Sequence, residues 1–364
     1  MRASPPILRF PWFSLDGLLK RFHDSAPAAS GAPPRIGLVL SCGGARGLAH
    51  IGVIQVLEEA KIPISVIMGS SMGAYVGTLW AAGVTGDELA KLAAEIRDRR
   101  TLMRLIDIAL PPLKGFLRGH KVRKHLERTL GDKTLADLPM PMHVVATNLD
   151  TVRGEVLPSS TPAAAAVQAS CAIPGIVSPV SMYDKRWIDG GAAQPLPVEL
   201  LHQVADLDYI IAVNVMLTLE DISSSSKLQS YPMPPPVPTT FMSRLWGTLS
   251  QNLNLFAHGN VLDTFKRCLT SSQLRVIAHE SARADVLIHP FCHESRWYDF
   301  ENFNRYIESG RTAALEALPQ IHKLLQIPRV ESPVQSARPT AAPVPNDQKT
   351  VSTIAAAVCG QPDM

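Results

Sequence analysis

Three short stretches of this chain carry residues whose types and spacing suit acyl-transfer chemistry. Gly69-Ser70-Ser71-Met72-Gly73 is a G-x-S-x-G lying between an apolar run, Ile64–Met68, and an Ala-rich stretch that includes Ala74, Tyr75, Val76, Leu79 and Ala81. A serine hydroxyl is a poor nucleophile until it is exposed, oriented and relieved of its proton, and a sharp strand-to-helix elbow supplies the first two. Gly69 and Gly73 suit such an elbow because a side chain there would clash where the backbone turns. The second stretch, Cys42-Gly43-Gly44-Ala45-Arg46-Gly47, opens the first helix, where free N–H groups point at an anion and glycines let it approach. That anion is either a phosphate or a reaction oxyanion. A dinucleotide fingerprint wants glycine at position 42 and an acid at the end of the next strand, where the serine elbow stands instead. A P-loop closes with Gly-Lys-Ser/Thr, which Ala45-Arg46-Gly47 does not supply, so an oxyanion hole remains. The third stretch is Trp187-Ile188-Asp189-Gly190-Gly191, an acid held after a short apolar strand by a two-glycine turn.

In their order and spacing these stretches resemble the motifs of bacterial patatin-like phospholipases: G-G-x-R-G at Gly43–Gly47, G-x-S-x-G at Gly69–Gly73 and D-G-G at Asp189–Gly191. Ala169-Ser170-Cys171-Ala172-Ile173-Pro174-Gly175 is similar to a further block of that family. The resemblance covers Arg35 to Val215 and, more weakly, Ala284–Leu325; Cys42 stands where many members have glycine, while Gly43, Gly44 and Gly47 are intact. It implies Ser71 as an acyl-forming nucleophile and Asp189 as its base, with no third member. It also implies an oxyanion loop of Gly43, Gly44, Ala45, Arg46 and Gly47, whose first three residues donate their N–H groups. Gly69 and Gly73 form the elbow, and Gly190 and Gly191 follow the acid. No metal and no cofactor is implied. Arg46 is expected either near a lipid phosphate or in a surface salt bridge, and His50 is expected to be packed.

The competing architecture is a Ser-acid-His triad, for which His279, His289 and His293 follow Asp189. His289 precedes Pro290 at a strand end and His293 lies in a polar loop, both unremarkable settings. In that architecture the nucleophile also follows several strands, whereas here it follows the second.

The elements that must hold these residues read as alternating strands and helices. Ile36–Leu40 and Ile64–Met68 are short buried strands, and Leu48, Ile51, Val56 and Leu57 follow the first with helical spacing. Helical sequence runs from Gly86 to Leu105. His143–Leu149, Arg153–Leu157, the residues before Asp189, Tyr209–Val215 and Asp285–His289 continue the strands, and Pro162–Ser170 is an Ala-rich helix. Such alternation predicts an α/β fold with a mostly parallel central sheet covered by helices on both faces. The expected organisation is an N-terminal extension and linker over 1–34, a catalytic domain over 35–327 and a disordered tail over 328–364. Within the domain, a Ser- and Pro-rich insertion over 220–240 is expected as a lid-like loop, followed by helix over Phe241–Cys268, where Trp246, Leu249, Leu253 and Phe256 share a spacing.

The 364 residues, 46% hydrophobic and 18% charged, suffice for one large core, and a net charge of +3 is too small for nucleic-acid binding. Five scattered cysteines without a C-x-x-C pair fit reduced thiols in a cytoplasmic protein. No secretory leader or membrane span is evident, so the expected location is cytoplasmic, with peripheral contact at the inner membrane face. Trp12, Leu15, Leu19 and Phe22 share a helix face that packs on its own domain or meets a membrane. Arg97 to Lys133 carries 11 Lys/Arg against 4 Asp/Glu, interleaved with Ile106, Ile108, Leu110, Leu113, Phe116 and Leu117, a mixture suited to an anionic lipid surface or to a solvated helix beside a buried hairpin. The expected function is serine-dependent hydrolysis of acyl esters of phospholipids or lysophospholipids. The alternatives are a soluble carboxylesterase or thioesterase, and a non-catalytic lipid-binding regulator.

Overall fold

The computed structural model describes residues 34–96, 107–109, 115–224, 261–292 and 299–326. In chain order they form β1 (Ile36–Leu40), α1 (Ala49–Glu59), β2 (Ile64–Ser70), α2 (Met72–Ala81), α3 (Gly86–Ile96), α4 (His120–Leu130), β3 (Met142–Asn148), β4 (Arg153–Val156), α5 (Ala163–Ser170), β5 (Val180–Met182), β6 (Lys185–Ile188), α6 (Val198–Val204), β7 (Tyr209–Val213), α7 (Leu219–Ser224), α8 (Val261–Ser281), β8 (Val286–Ile288) and α9 (Phe303–Leu325). The expected N-terminal extension up to residue 33, residues 225–240 of the insertion, residues 241–260 of the helix expected after it with their Trp246, Leu249, Leu253 and Phe256 spacing, residues 97–105 of the long helix and the tail lie outside the described residues.

All eight strands join one sheet in the order β5-β6-β3-β2-β1-β7-β8, with β4 also paired to β3. The run β3-β2-β1-β7-β8 is parallel throughout, as the alternation of strands and helices predicts. Both faces are buried, and the two-residue period of the strands sorts them. Leu38, Leu40, Ile67, Val144, Ile211 and Val213 pack into the layer of α1, α2, α3, α4, α5 and α9. Their neighbours Val39, Val66, Met68, Val145, Ile210 and Ala212 pack under α6 and α8. α1 packs closely on α9, where Gly52 and Gly310 leave the backbones room to touch: a Cβ on either would run into a carbonyl oxygen of the other helix.

One end of the sheet is not parallel, and it positions the acid. β2 pairs with β3 as far as Ser70 opposite Val145. β4 occupies the far edge of β3, so β6, running antiparallel with Ile188 opposite Thr147 and Trp187 opposite Asn148, continues the edge where β2 leaves off. β2 and β6 thus run toward each other along β3. Ser71 follows the end of one, and Asp189 the end of the other.

Within the basic segment, α4 buries Leu126 and Leu130 and turns Lys121, Lys124 and Arg128 outward. Asp107 holds its N-terminus, accepting hydrogen bonds from the N–H groups of Gly119 and His120, each at 2.8 Å. Leu117 is committed within the fold, bridging Ile108 and Val177, while Ile108 itself remains exposed. Ile106, Leu110 and Leu113 lie outside the described residues. Among the described residues no helix is long and apolar enough to cross a membrane.

Candidate active site

Ser71 sits where β2 breaks into α2, with φ 52° and ψ −118°. That is a strained conformation for a residue with a Cβ, costing about 1–3 kcal/mol, and it persists only because its surroundings fix it. They do so from three sides. A Cβ on Gly69 would meet the Gly73 carbonyl, and one on Gly73 would meet the carbonyl oxygens of Leu40 and Ser41, so only glycine lets the elbow close. The Ser71 N–H donates to Ser170 Oγ at 2.8 Å, and Ser170 Oγ donates onward to the Val145 carbonyl at 2.6 Å. The Ser71 carbonyl accepts from Tyr75 N–H at 2.9 Å, which begins the helix.

The Ser71 hydroxyl donates to Asp189 Oδ2 at 2.5 Å, across 118 positions of sequence. Asp189 Oδ1 accepts from Gly191 N–H at 2.7 Å, so both carboxylate oxygens are engaged. The backbone of the acid is held as firmly. Its N–H donates to the Ala172 carbonyl at 2.9 Å, its carbonyl accepts from Thr147 Oγ1 at 2.9 Å, and the Gly191 carbonyl accepts from Gln273 Nε2 at 2.8 Å. Gly190 and Gly191 lie so close to the Val145 carbonyl and to Cys42 that neither position admits a Cβ. Burial pushes the Asp189 carboxyl up to about 6, against the downward pull of the Ser71 and Gly191 hydrogen bonds. A carboxylate with that affinity is a far better proton acceptor near neutral pH than an exposed aspartate.

Two thiols flank the pair. Burial, reinforced by the Asp189 charge, pushes both Cys42 and Cys171 well up, so they stay protonated beside the serine. The described candidate histidines, His50, His279 and His289, are engaged elsewhere. His50 is buried with Nε2 2.9 Å from the Ser41 carbonyl, and burial pushes it down to about 4. His289 bridges the Asn214 carbonyl and Asp221 Oδ2 at 2.7 and 2.9 Å, His279 is exposed near Glu280, and His293 lies outside the described residues.

The glycine loop begins one residue after β1. Gly44 has φ 57°, in the left-handed region that glycine reaches without strain, and a single 3-10 segment, Gly44–Leu48, precedes α1 in place of the directly continuous helix expected. Neither the Gly43 nor the Gly44 N–H donates to an acceptor among the described residues, and Gly44 is half exposed. Ala45 and Gly47 are buried, the latter against Met72 of the elbow. Arg46 is half buried, and desolvation depresses its pKa. With Ala49, Met216, Phe291 and Tyr306 it lines a small cleft next to the loop.

The structure therefore gathers Ser71, Asp189, Gly69, Gly73, Gly190, Gly191 and the Gly43–Gly47 loop into one place. Sequence reasoning missed the residues that hold them: Thr147, Ser170 and Gln273. The Ala169–Gly175 block carried the only signal, since Ser170 anchors the nucleophile and Ala172 the acid.

The sequence profile of the patatin-like phospholipase family matches residues 38–202. Those residues form a patatin-like phospholipase domain. The matched region holds the glycine loop, the elbow and the D-G-G turn. Uncharacterised NTE family proteins of Mycobacterium tuberculosis and Mycobacterium bovis are each 40% identical over 194 residues, 52% of this chain and 53% of theirs. Lysophospholipase NTE1 of Pyricularia oryzae is 26% identical over 90% of this chain and 21% of that one. The chain thus spans about half the length of its mycobacterial relatives, at 53%, and a smaller share of the fungal one. The crystal structure of VipD from Legionella pneumophila aligns with a TM-score of 0.46 and 16% identity, over 80% of this chain and 67% of that one.

Proposed function

We propose that this patatin-like domain hydrolyses acyl esters of phospholipids or lysophospholipids through an acyl-enzyme on Ser71. The observation that carries the reading is the direct 2.5 Å hydrogen bond from the Ser71 hydroxyl to a buried aspartate with no histidine between them. Ser71 Oγ attacks the ester carbonyl as its proton passes to Asp189 Oδ2. The oxyanion of the tetrahedral intermediate lies against the N–H groups of Gly43 and Gly44, with Ala45 closing the loop. Collapse breaks the bond to the alcohol, which leaves with the proton held by Asp189. Water then attacks the acyl-Ser71 carbonyl, Asp189 takes its proton, and the free fatty acid departs as Ser71 regains its own. No step requires a metal or cofactor. Arg46, at the mouth of the loop, suits the phosphate of such a lipid. The outward basic side chains of α4, with Arg118 ahead of it, suit docking on an anionic membrane, where each contributes about 1 kcal/mol.

The test is activity of the full chain on 4-nitrophenyl butyrate and mass spectrometry of the products released from a total lipid extract, together with labelling by a fluorophosphonate. The expected result is ester hydrolysis, free fatty acid from glycerophospholipids, and a label on Ser71 that is absent from Ser71→Ala. Hydrolysis of the small ester without any lipid product selects the soluble carboxylesterase. Labelling at another serine with activity retained in Ser71→Ala overturns the assignment, and lipid binding without turnover points to a regulator.

A further inference from the structure

The N–H groups of Gly43 and Gly44 are useful to an oxyanion only if they are already aimed at it, because reorientation during the reaction consumes the stabilisation they provide. Two consecutive glycines are the residues least able to hold such an aim unaided. The structure supplies a clamp immediately upstream. The peptide unit joining Ser41 to Cys42 is held at both ends: its carbonyl accepts from His50 Nε2 at 2.9 Å, and its N–H donates to the Pro195 carbonyl at 2.8 Å. Ser41 is further tied by its own N–H to the Val213 carbonyl at 3.0 Å, and its Oγ accepts from Val215 N–H at 3.0 Å. That last bond holds Val215 against the back of Gly43, where a Cβ would lie 2.5 Å from the valine methyl. From this fixed peptide plane only the dihedrals of Cys42 and Gly43 remain before the Gly44 N–H.

His50 is the unusual member. It lies on α1, the helix that the loop itself feeds, and reaches back nine residues to Ser41 with no solvent exposure. A carbonyl can only accept, so Nε2 carries the proton, and Nδ1 is a buried nitrogen without a partner among the described residues. An apolar side chain would satisfy the packing of such a position without leaving an orphaned nitrogen, so packing does not account for an imidazole here.

We infer that His50 and Ser41 are positioning residues that pre-aim the oxyanion donors, acting through the loop backbone and touching no substrate. The inference rests on the acyl-transfer function proposed above. Its signature is a loss confined to the transition state, with ground-state binding unchanged.

The experiment compares the full wild-type chain with His50→Leu, His50→Gln and Ser41→Ala. The readouts are kcat and KM on 4-nitrophenyl butyrate, inhibition by an alkyl trifluoromethyl ketone, whose serine adduct is a tetrahedral alkoxide, and circular dichroism for folding. Removal of a direct oxyanion donor costs about 10²–10³ in kcat, so loss of its positioning should cost about tenfold or more. His50→Leu and Ser41→Ala are expected to lose that factor in kcat and to bind the ketone correspondingly less tightly, with KM within about twofold of wild type. His50→Gln, whose amide Nε2 can donate to the same carbonyl, should recover a substantial part. Should His50→Leu fail to fold, Ser41→Ala and His50→Gln decide on the same criteria. Folded variants that keep kcat within about twofold, or that lose it only through KM with ketone binding unchanged, overturn the inference while leaving the proposed function standing. A wild-type chain that neither turns over the ester nor takes a fluorophosphonate label defeats the function, and the inference with it.

Discussion

Replacing Asp189 by asparagine should make the protein more stable at alkaline pH and inactive at any pH. The carboxyl is 7% exposed and burial lifts its pKa from 3.8 to about 6. Because the folded-state value stands above the unfolded one, its stabilising contribution is full below the unfolded value near pH 4 and is lost as pH rises through about 6. Above that range the native state holds an ionised carboxylate that the unfolded chain would rather expose. A shift of about two units, at 1.36 kcal/mol each, makes the penalty about 3 kcal/mol at pH 8 and roughly half that at pH 5. Asparagine is isosteric, keeps an oxygen for the Gly191 N–H and carries no charge, so it escapes the penalty at some loss in hydrogen-bond strength. Urea unfolding of wild type and Asp189→Asn across this range should find the variant more stable by about 1–3 kcal/mol at pH 8, the gap narrowing by about 1.4 kcal/mol at pH 5. A gap that does not change with pH, or a variant less stable at pH 8, would refute the burial argument and with it the explanation of why this aspartate can act as a base.

The same shift sets the acid limb of catalysis: log kcat/KM should fall with unit slope below an apparent pKa near 6, and a limb near 4 in a pH-rate profile would show that the carboxyl is not perturbed in solution. Gly52→Ala should destabilise the protein by about 2 kcal/mol or more by forcing α1 off the Ile307 carbonyl, as thermal unfolding would show, whereas Gly83→Ala, which meets no neighbouring atom but has φ 100°, should cost only its backbone strain. Reversing Lys121, Lys124 and Arg128 to glutamate should abolish co-sedimentation with anionic liposomes, binding that should also weaken with salt; equal wild-type binding to neutral liposomes would count against the docking surface.

What was legible in the sequence was local. Strands β1, β2, β3 and β7 are runs of apolar residues long enough to show their type, and the elbow declares itself because Gly69 and Gly73 are required by contacts within a few residues and with the adjoining strand. β1 keeps its expected bounds, while ends of β2, β3 and β7 shift by one or two residues. The hairpin of β5 and β6 was half missed: Val180–Met182 is three residues long, and Lys185 and Arg186 give β6 an exposed charged start that no periodicity marks. Nothing in the spacing of Thr147 or Gln273 points to Asp189 or Gly191, which they respectively hold, since those contacts span 42 and 82 positions and depend on where whole elements dock. The basic stretch was ambiguous for a related reason. Its charges are visible in the sequence, but only packing shows that Leu126 and Leu130 face inward and that the Leu117 backbone is paired within the fold.

The meeting of β2 and β6 along one edge of β3 separates two kinds of change that such a chain can undergo. The length of chain between nucleophile and acid has no influence on their distance, because the strand ladder sets it. Loop extension costs little, about 0.6 kcal/mol per doubling, so segments inserted at the hairpin tips Thr151–Val152 or Tyr183–Asp184 would leave the 2.5 Å contact alone. A slip of one residue between β6 and β3 is another matter. It would displace Asp189 by about 3.3 Å and turn it to the opposite face of the sheet. Diversification of this domain is therefore free in loop length and closed in strand count, with Ser70, Val145, Thr147 and Ile188 as the four positions that keep the tally.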